Sequence, residues 1–196
     1  MSNDSSTGGY ITPAASPPYD ASLEDIFQGA LVGITGVDGK LVRPRWQAEP
    51  PNQPDFDTTW IAFAVSVTDQ DVFAYQNHAV TLDDPLGSDK VERDEMLEVF
   101  CSFYGPDGHK VMAQLREGLQ IEQNRYVLAQ SYVQFREFGQ PVYLPALLKE
   151  RNVKRVDVKM KFVRRVHRVY PIRTVSSAEV IVNNEHYLTD INITNL

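Results

Sequence analysis

The chain has 196 residues, 42% hydrophobic and 23% charged, which suits one domain with appendages and a core that needs no staples. Its single cysteine, Cys101, excludes an intrachain disulfide, and no apolar run reaches the roughly 18 residues of a membrane span. The net charge of −7 argues against duplex DNA as the main partner.

Charge is divided along the chain. Residues 1–100 carry 5 Lys and Arg against 17 Asp and Glu, whereas residues 101–196 carry 14 against 9. An acidic half and a basic half fit complementary faces between copies, so the division favours self-association. The N-terminus lacks the basic and apolar regions of a signal peptide, and synthesis in a reducing cytoplasm is expected.

Residues 1–19 are rich in Ser, Gly and Pro and have no apolar period. They predict an extended N-terminal arm that only a neighbouring subunit could hold still. Residues 20–196 predict a single α+β domain. Ser22 and Asp25 have capping-box spacing at the start of a helix over about 22–35. Leu23, Ile26, Phe27, Ala30, Leu31 and Ile34 fall on one face of it. Gly36 is its stop and "GVDGK" a turn. Pro44, Pro50, Pro51 and Pro54 then hold residues 41–57 extended.

"TTWIAFAVSV" alternates as a strand, with "DVFAYQNHAV" as its expected partner and "DDPLGSDK" as a loop. "VERDEMLEVFCSFYG" predicts a long strand with Val99, Cys101 and Phe103 on one face. "PDGHKVMAQLREGLQI" predicts a helix with Asp107 as N-cap and Val111, Met112, Leu115 and Leu119 buried. "QNRYVLAQS" reads as a short helix, "YVQFREF" as a strand and "PALLKERN" as a helical turn or loop. "KRVDVKMKFVRRVHRVYPIR" is the clearest strand, with Val156, Val158, Met160 and Phe162 on one face and a bulge expected near Phe162–Val163. "AEVIVNNEHYLTDINI" predicts a hairpin turning near Asn183-Asn184. The sum is a mainly antiparallel sheet with one or two helices packed on a face.

The sequence offers little chemistry. His78, His109, His167 and His186 have no metal-ligand spacing, and Cys101 lies mid-strand between aromatic residues, as a structural thiol would. There is no GxSxG, P-loop or GxGxxG. Asp83-Asp84 and Asp94-Glu95 read as solubilising pairs in preference to a Mg²⁺ site. No catalytic residue, cofactor or metal is therefore expected.

Two groups stand out as candidate contact residues. Arg43, Arg45 and Trp46 sit in the proline-stiffened segment, where a subunit contact and a cap on the chain's own core are both open. Arg164, Arg165 and Arg168 belong to a basic strand over 154–173. That strand admits a subunit contact, a solvated edge or a track for a phosphate backbone.

"GITGVDGKLVRPRWQAEPPNQPDFDTTWIAFAV", "CSFYGPDG", "LREGLQIEQNR", "YLPALLKERNVKRVDVKMKFVRRVHRVYP" and "VSSAEVIV" together resemble the phage neck and tail-terminator proteins, over about residues 25–182. The resemblance implies a structural virion protein without chemistry. It implies a ring, commonly hexameric, at the head-proximal end of the tail of a tailed phage. Such a ring ends the tail tube or sheath and meets a head-side connector or collar protein. DNA passes through its lumen without sequence-specific binding, and no membrane is involved. An adjacent collar ring is the nearest alternative. A small DNA-binding protein using strand 154–173, or an enzyme with an unrecognised site, are alternatives from other classes. The resemblance also gives Arg43, Arg45 and Trp46 a use, since a closed ring joins two different surfaces of successive copies.

Overall fold

The computed structural model of the chain describes residues 3–49, 51–148, 151–175, 177–184 and 187–194. Its elements are α1 (Ala21–Thr35), β1 (Val42–Pro44), β2 (Trp60–Gln70), β3 (Tyr75–Ala79), β4 (Ser88–Tyr104), α2 (Gly108–Gly118), α3 (Glu122–Ala129), β5 (Val133–Phe138), β6 (Val142–Leu148), β7 (Arg151–Tyr170), β8 (Ser177–Asn184) and β9 (Tyr187–Thr194). This is the expected α+β class. The chain groups into two compact units, a larger one of residues 17–74 and 93–166 and a smaller one of 1–16, 75–92 and 167–196.

In the larger unit the strands lie in the order β1-β2-β4-β7-β5, with β6 also on β7. β1 and β2 pair in parallel, while β2–β4, β5–β7 and β6–β7 are antiparallel. Period-two alternation puts one set of side chains from each strand on the helix side. Ile61 and Phe63 of β2 meet Val99, Cys101 and Phe103 of β4 and Val156, Val158, Met160 and Phe162 of β7. Leu23, Phe27 and Leu31 of α1 and Val111, Met112 and Leu115 of α2 complete this core. Phe162 is its hub, with Phe27 and Phe135 edge-on to it at 5.0 and 5.6 Å. Each such buried side chain contributes about 1.5–3 kcal/mol. Gly36 ends α1 in the left-handed region at φ 70°, and its N–H closes on Val32 O.

Several expectations need correction. Ser22 does not cap α1; Asp20 holds the cap position without a side-chain bond, and Ser22 Oγ instead bonds the backbone of Tyr19. Asp107 does hold the expected cap position of α2, though without a side-chain bond. "GVDGK" ends in a 3₁₀ turn, Gly39–Leu41, whose Lys40 N–H donates to Asp38. The partner of β2 is β4, and β3 pairs with the start of β4. Residues 142–148 form a strand, because the long β7 offers them a complete row of backbone partners and an outer strand tolerates Pro145. The bulge lies in β5 between Phe135 and Glu137, across from β7. β7 itself keeps its alternation through Val166, since Arg164 takes the inward position that an apolar residue would fill.

In the smaller unit β3 pairs with Ser88–Glu92, and β8 and β9 form the predicted hairpin. The turn of that hairpin, residues 185 and 186, lies outside the described residues. The arm finds partners in its own chain. Ser5 N–H donates to Pro171 O at 3.1 Å and Ala14 N–H to Val169 O at 2.8 Å. Arg173 pairs with Asp4 at 3.2 Å and Asp84 at 3.0 Å. The expectation that only a neighbouring subunit could hold the arm is corrected by these bonds.

Candidate functional site

The proline-stiffened segment begins as β1, whose three residues lie against Ile61, Ala62 and Phe63 of β2. Val42 is wholly buried and anchors the segment. Alternation then sends Arg43 and Arg45 to the other face. The Arg43 guanidinium donates to Lys40 O at 2.7 Å and Asn52 O at 2.8 Å, clamping both ends of the loop. Arg45 N–H donates to Phe63 O at 2.7 Å, so extended pairing continues past β1. Its guanidinium lies 4.1 Å over the Phe100 ring and donates to Ser102 Oγ, while its Nε is buried without a hydrogen-bond partner. Ser102 in turn donates to Asp157, which Arg155 grips with two bonds. Burial holds Arg45 below the ordinary arginine pKa, partly offset by Tyr104 and Asp157, while Arg155 adds a like charge. Arg45 thus belongs to a buried network of its own subunit.

Trp46 is different. It is 80% exposed, so it does not cap the core. With Arg43, Arg45, Pro51, Gln53, Trp60 and Tyr104 it lines a groove of about 460 Å³. Trp60 and Tyr104 stack at 4.2 Å in its wall. The groove therefore offers flat aromatic surface beside two guanidinium groups. This composition suits contact with an extended or acidic segment better than chemistry.

The basic strand does not form one continuous stripe. Arg164 points inward with its side chain only 3% exposed, and two of its nitrogens bond Glu95 Oε2 at 3.0 and 2.8 Å. It also donates to Pro18 O and lies 4.4 Å over the Tyr19 ring, whose hydroxyl donates to Glu95. Arg164 serves its own subunit. Arg165 points outward and forms two bonds to Asp94, and that hydrogen bond holds the Asp94 carboxyl below its usual range despite some burial. Arg168 is half-buried in the smaller unit. Lys159 pairs with Glu98 and Lys161 with Glu137. Paired cations of this kind leave less charge for a phosphate backbone than their number in the sequence implies.

Sequence reasoning missed a cluster in the smaller unit. Asp89, 6% exposed, accepts bonds from Gln76 and His78, and His78 Nε2 lies 2.8 Å from Thr174 Oγ1. The order carboxylate, imidazole, hydroxyl is that of a nucleophilic triad. A Cβ at Gly87 would stand 2.5 Å from that hydroxyl, so the Gly87 backbone already closes one side of it. Thr174 N–H also donates to Leu86 O, and the cluster reads as a clasp. His78 and Thr174 lie 96 residues apart, and no local pattern marks the cluster. Among the described residues no group of three or more His, Cys, Asp or Glu is placed to hold a metal ion.

The family model for phage neck terminator protein matches residues 21–186. No curated protein matches the chain.

Proposed function

Because the chain belongs to the phage neck terminator family, we propose that it forms a closed ring at the head-proximal end of a phage tail, where it ends the tail tube or sheath and joins the tail to the neck. Membership makes the chain a structural protein of the phage neck, located in the virion. The ring, hexameric on this reading, sits between tube or sheath protein on one side and a head-side connector or collar protein on the other. DNA crosses its lumen without being read. The observation that carries the reading is a family match spanning most of the chain. Trp46, exposed beside Arg43 on a proline-stiffened segment, supports it, because such a segment loses little freedom on docking. Trp46, Arg43, Arg165 and Arg168 are the proposed contact residues.

The test is the mass of the purified chain alone and with tube protein. A discrete multiple of the monomer mass is expected in at least one condition, and a monomer in both would end the ring reading. Trp46→Ser should leave stability within about 0.5 kcal/mol of the parent, as surface changes do, yet weaken assembly. Arg45→Ala should lower the melting temperature, because it strips the buried Ser102 of a donor.

A further inference from the structure

β6 is out of keeping with the rest of the sheet. It lies on the outer side of β7 and has no other strand partner among the described residues. Its described side chains leave apolar surface exposed on both faces: Val142 and Leu144 on one, Tyr143 and Leu147 on the other, with Tyr143 edge-on to His109 and Leu147 75% exposed. A strand that served only its own core would bury one face. The described residues of β6 and the start of β7, 142–148 and 151–156, also carry Arg151, Lys154 and Arg155 and no acid. It is an apolar ridge in a basic setting.

The end of β2 and the connection after it have the opposite character. Val67, Val72 and Phe73 are exposed, Phe73 at 89%, and Asp69 and Asp71 stand among them without a basic residue over 67–73. β1 covers β2 only as far as Phe63. In the strand order β2 and β6 lie on opposite sides of the β4–β7 pair. One chain therefore presents a basic apolar ridge and an acidic apolar surface towards opposite edges of one sheet. Two such surfaces cannot meet within a subunit, but they can meet between successive copies, as in a ring built from a repeated contact of unlike surfaces.

Resting on the ring reading above, we propose that the β6–β7 pair of one copy seats Tyr143 and Leu147, which share one face of β6, against Val67, Val72 and Phe73 of the next copy. Lys154, which shares the Tyr143 and Leu147 face through its pairing with Pro145, faces Asp69 and Asp71. The contact is made by side chains. Pro145 has no N–H to donate and sits in the middle of β6, which disfavours continuous strand pairing across copies. The charged rim sets orientation, and the apolar centre supplies most of the affinity.

The experiment mixes two samples of the full chain, one carrying Leu147→Cys and the other Phe73→Cys, under mild oxidation in the assembled state. Both positions are exposed, so both variants should melt like the parent, and Cys101 is wholly buried and does not compete. Disulfides joining position 147 of one copy to position 73 of another are expected to form at least about tenfold faster than like-to-like pairs. Leu147→Ser should raise the concentration needed for half-assembly by about tenfold or more, the scale of one interface anchor. Rings that assemble but yield no 147–73 bond overturn this contact and leave the ring standing. Dominant 147–147 bonds also overturn it, since they mark a two-fold contact. A chain that stays monomeric alone and with tube protein overturns both readings.

Discussion

Arg164 and Glu95 form an ion pair whose side chains are almost fully buried. Pairing and the Tyr19 hydroxyl offset the cost of taking both charges out of water. Removing one partner strands the other. Arg164→Ala should therefore destabilise the fold by about 3–5 kcal/mol in chemical denaturation. Replacing Arg164 with Met and Glu95 with Leu together should recover most of that loss. An Arg164→Ala protein as stable as the parent would show that Glu95 finds water or another donor. The two arginines of the Arg-Pro-Arg-Trp string divide the same way. Arg43 ties backbone oxygens at the surface, while Arg45 is drawn over the Phe100 ring into a network with Ser102. In the sequence these residues look alike, because burial depends on the strand that happens to lie opposite.

Among the elements, β4 is continued into α2 by a turn at Gly105, which has φ 96° and places its absent Cβ 2.5 Å from Thr58 O. A side chain there is strained by conformation and blocked by backbone. Gly105→Ala should cost about 2 kcal/mol or more. Gly36→Ala, at φ 70° in open space, should cost only about 1 kcal/mol. Equal losses in urea titrations would mean that Thr58 moves aside. The β3–β4 pairing makes a second prediction, about pH. Burial of Asp89 works to raise its pKa, but the bonds and charge of His78, with Gln76, outweigh it and hold it below the ordinary 3.8. A carboxyl with a depressed pKa stabilises the fold above its unfolded pKa, and that contribution is lost as pH falls through the folded value. Protection from hydrogen exchange in residues 75–79, taken relative to the intrinsic rate at each pH, should therefore fall on acidification below about pH 4. Asp89→Asn should flatten that dependence. An unchanged profile in the Asn variant would assign the acid sensitivity elsewhere.

At the scale of the whole molecule, Cys101 reports on global opening. It lies mid-sheet in the larger unit with no exposed surface, and burial pushes its thiol well above the ordinary range. Local fraying cannot reach it. Thiol labelling under native conditions should thus follow the global stability, and Gly105→Ala should speed it in proportion to the stability lost. Labelling that is fast, or indifferent to such variants, would reveal a sub-global opening of β2 from β4. Assembly adds a further layer, since copies that bind the folded chain also stabilise it by mass action, so labelling should slow as concentration rises.

The sequence by itself determined what depends on neighbours a few residues away. The helical stripe Leu23, Phe27, Leu31 and the alternation of Val99, Cys101 and Phe103 named their buried faces, because helix and strand periods leave little choice of side. Gly36 announced the end of α1, since few other residues accept its φ. The Arg-Pro-Arg-Trp and Arg-Arg-Val-x-Arg-x-Tyr-Pro strings pointed to the family that the match over residues 21–186 then showed. Tertiary structure alone decided what depends on partners far along the chain. Residues 145–148, the start of "PALLKERN", look like a helical turn or loop until β7 supplies a row of hydrogen-bonding groups. Arg164 looks like one cation in a basic run until Glu95, 69 residues away, takes it inside. His78 looks isolated until folding brings Asp89 and Thr174 to its two ring nitrogens. Local periodicity selects a face, but desolvation of a charge is settled by whichever opposite charge the fold delivers to it.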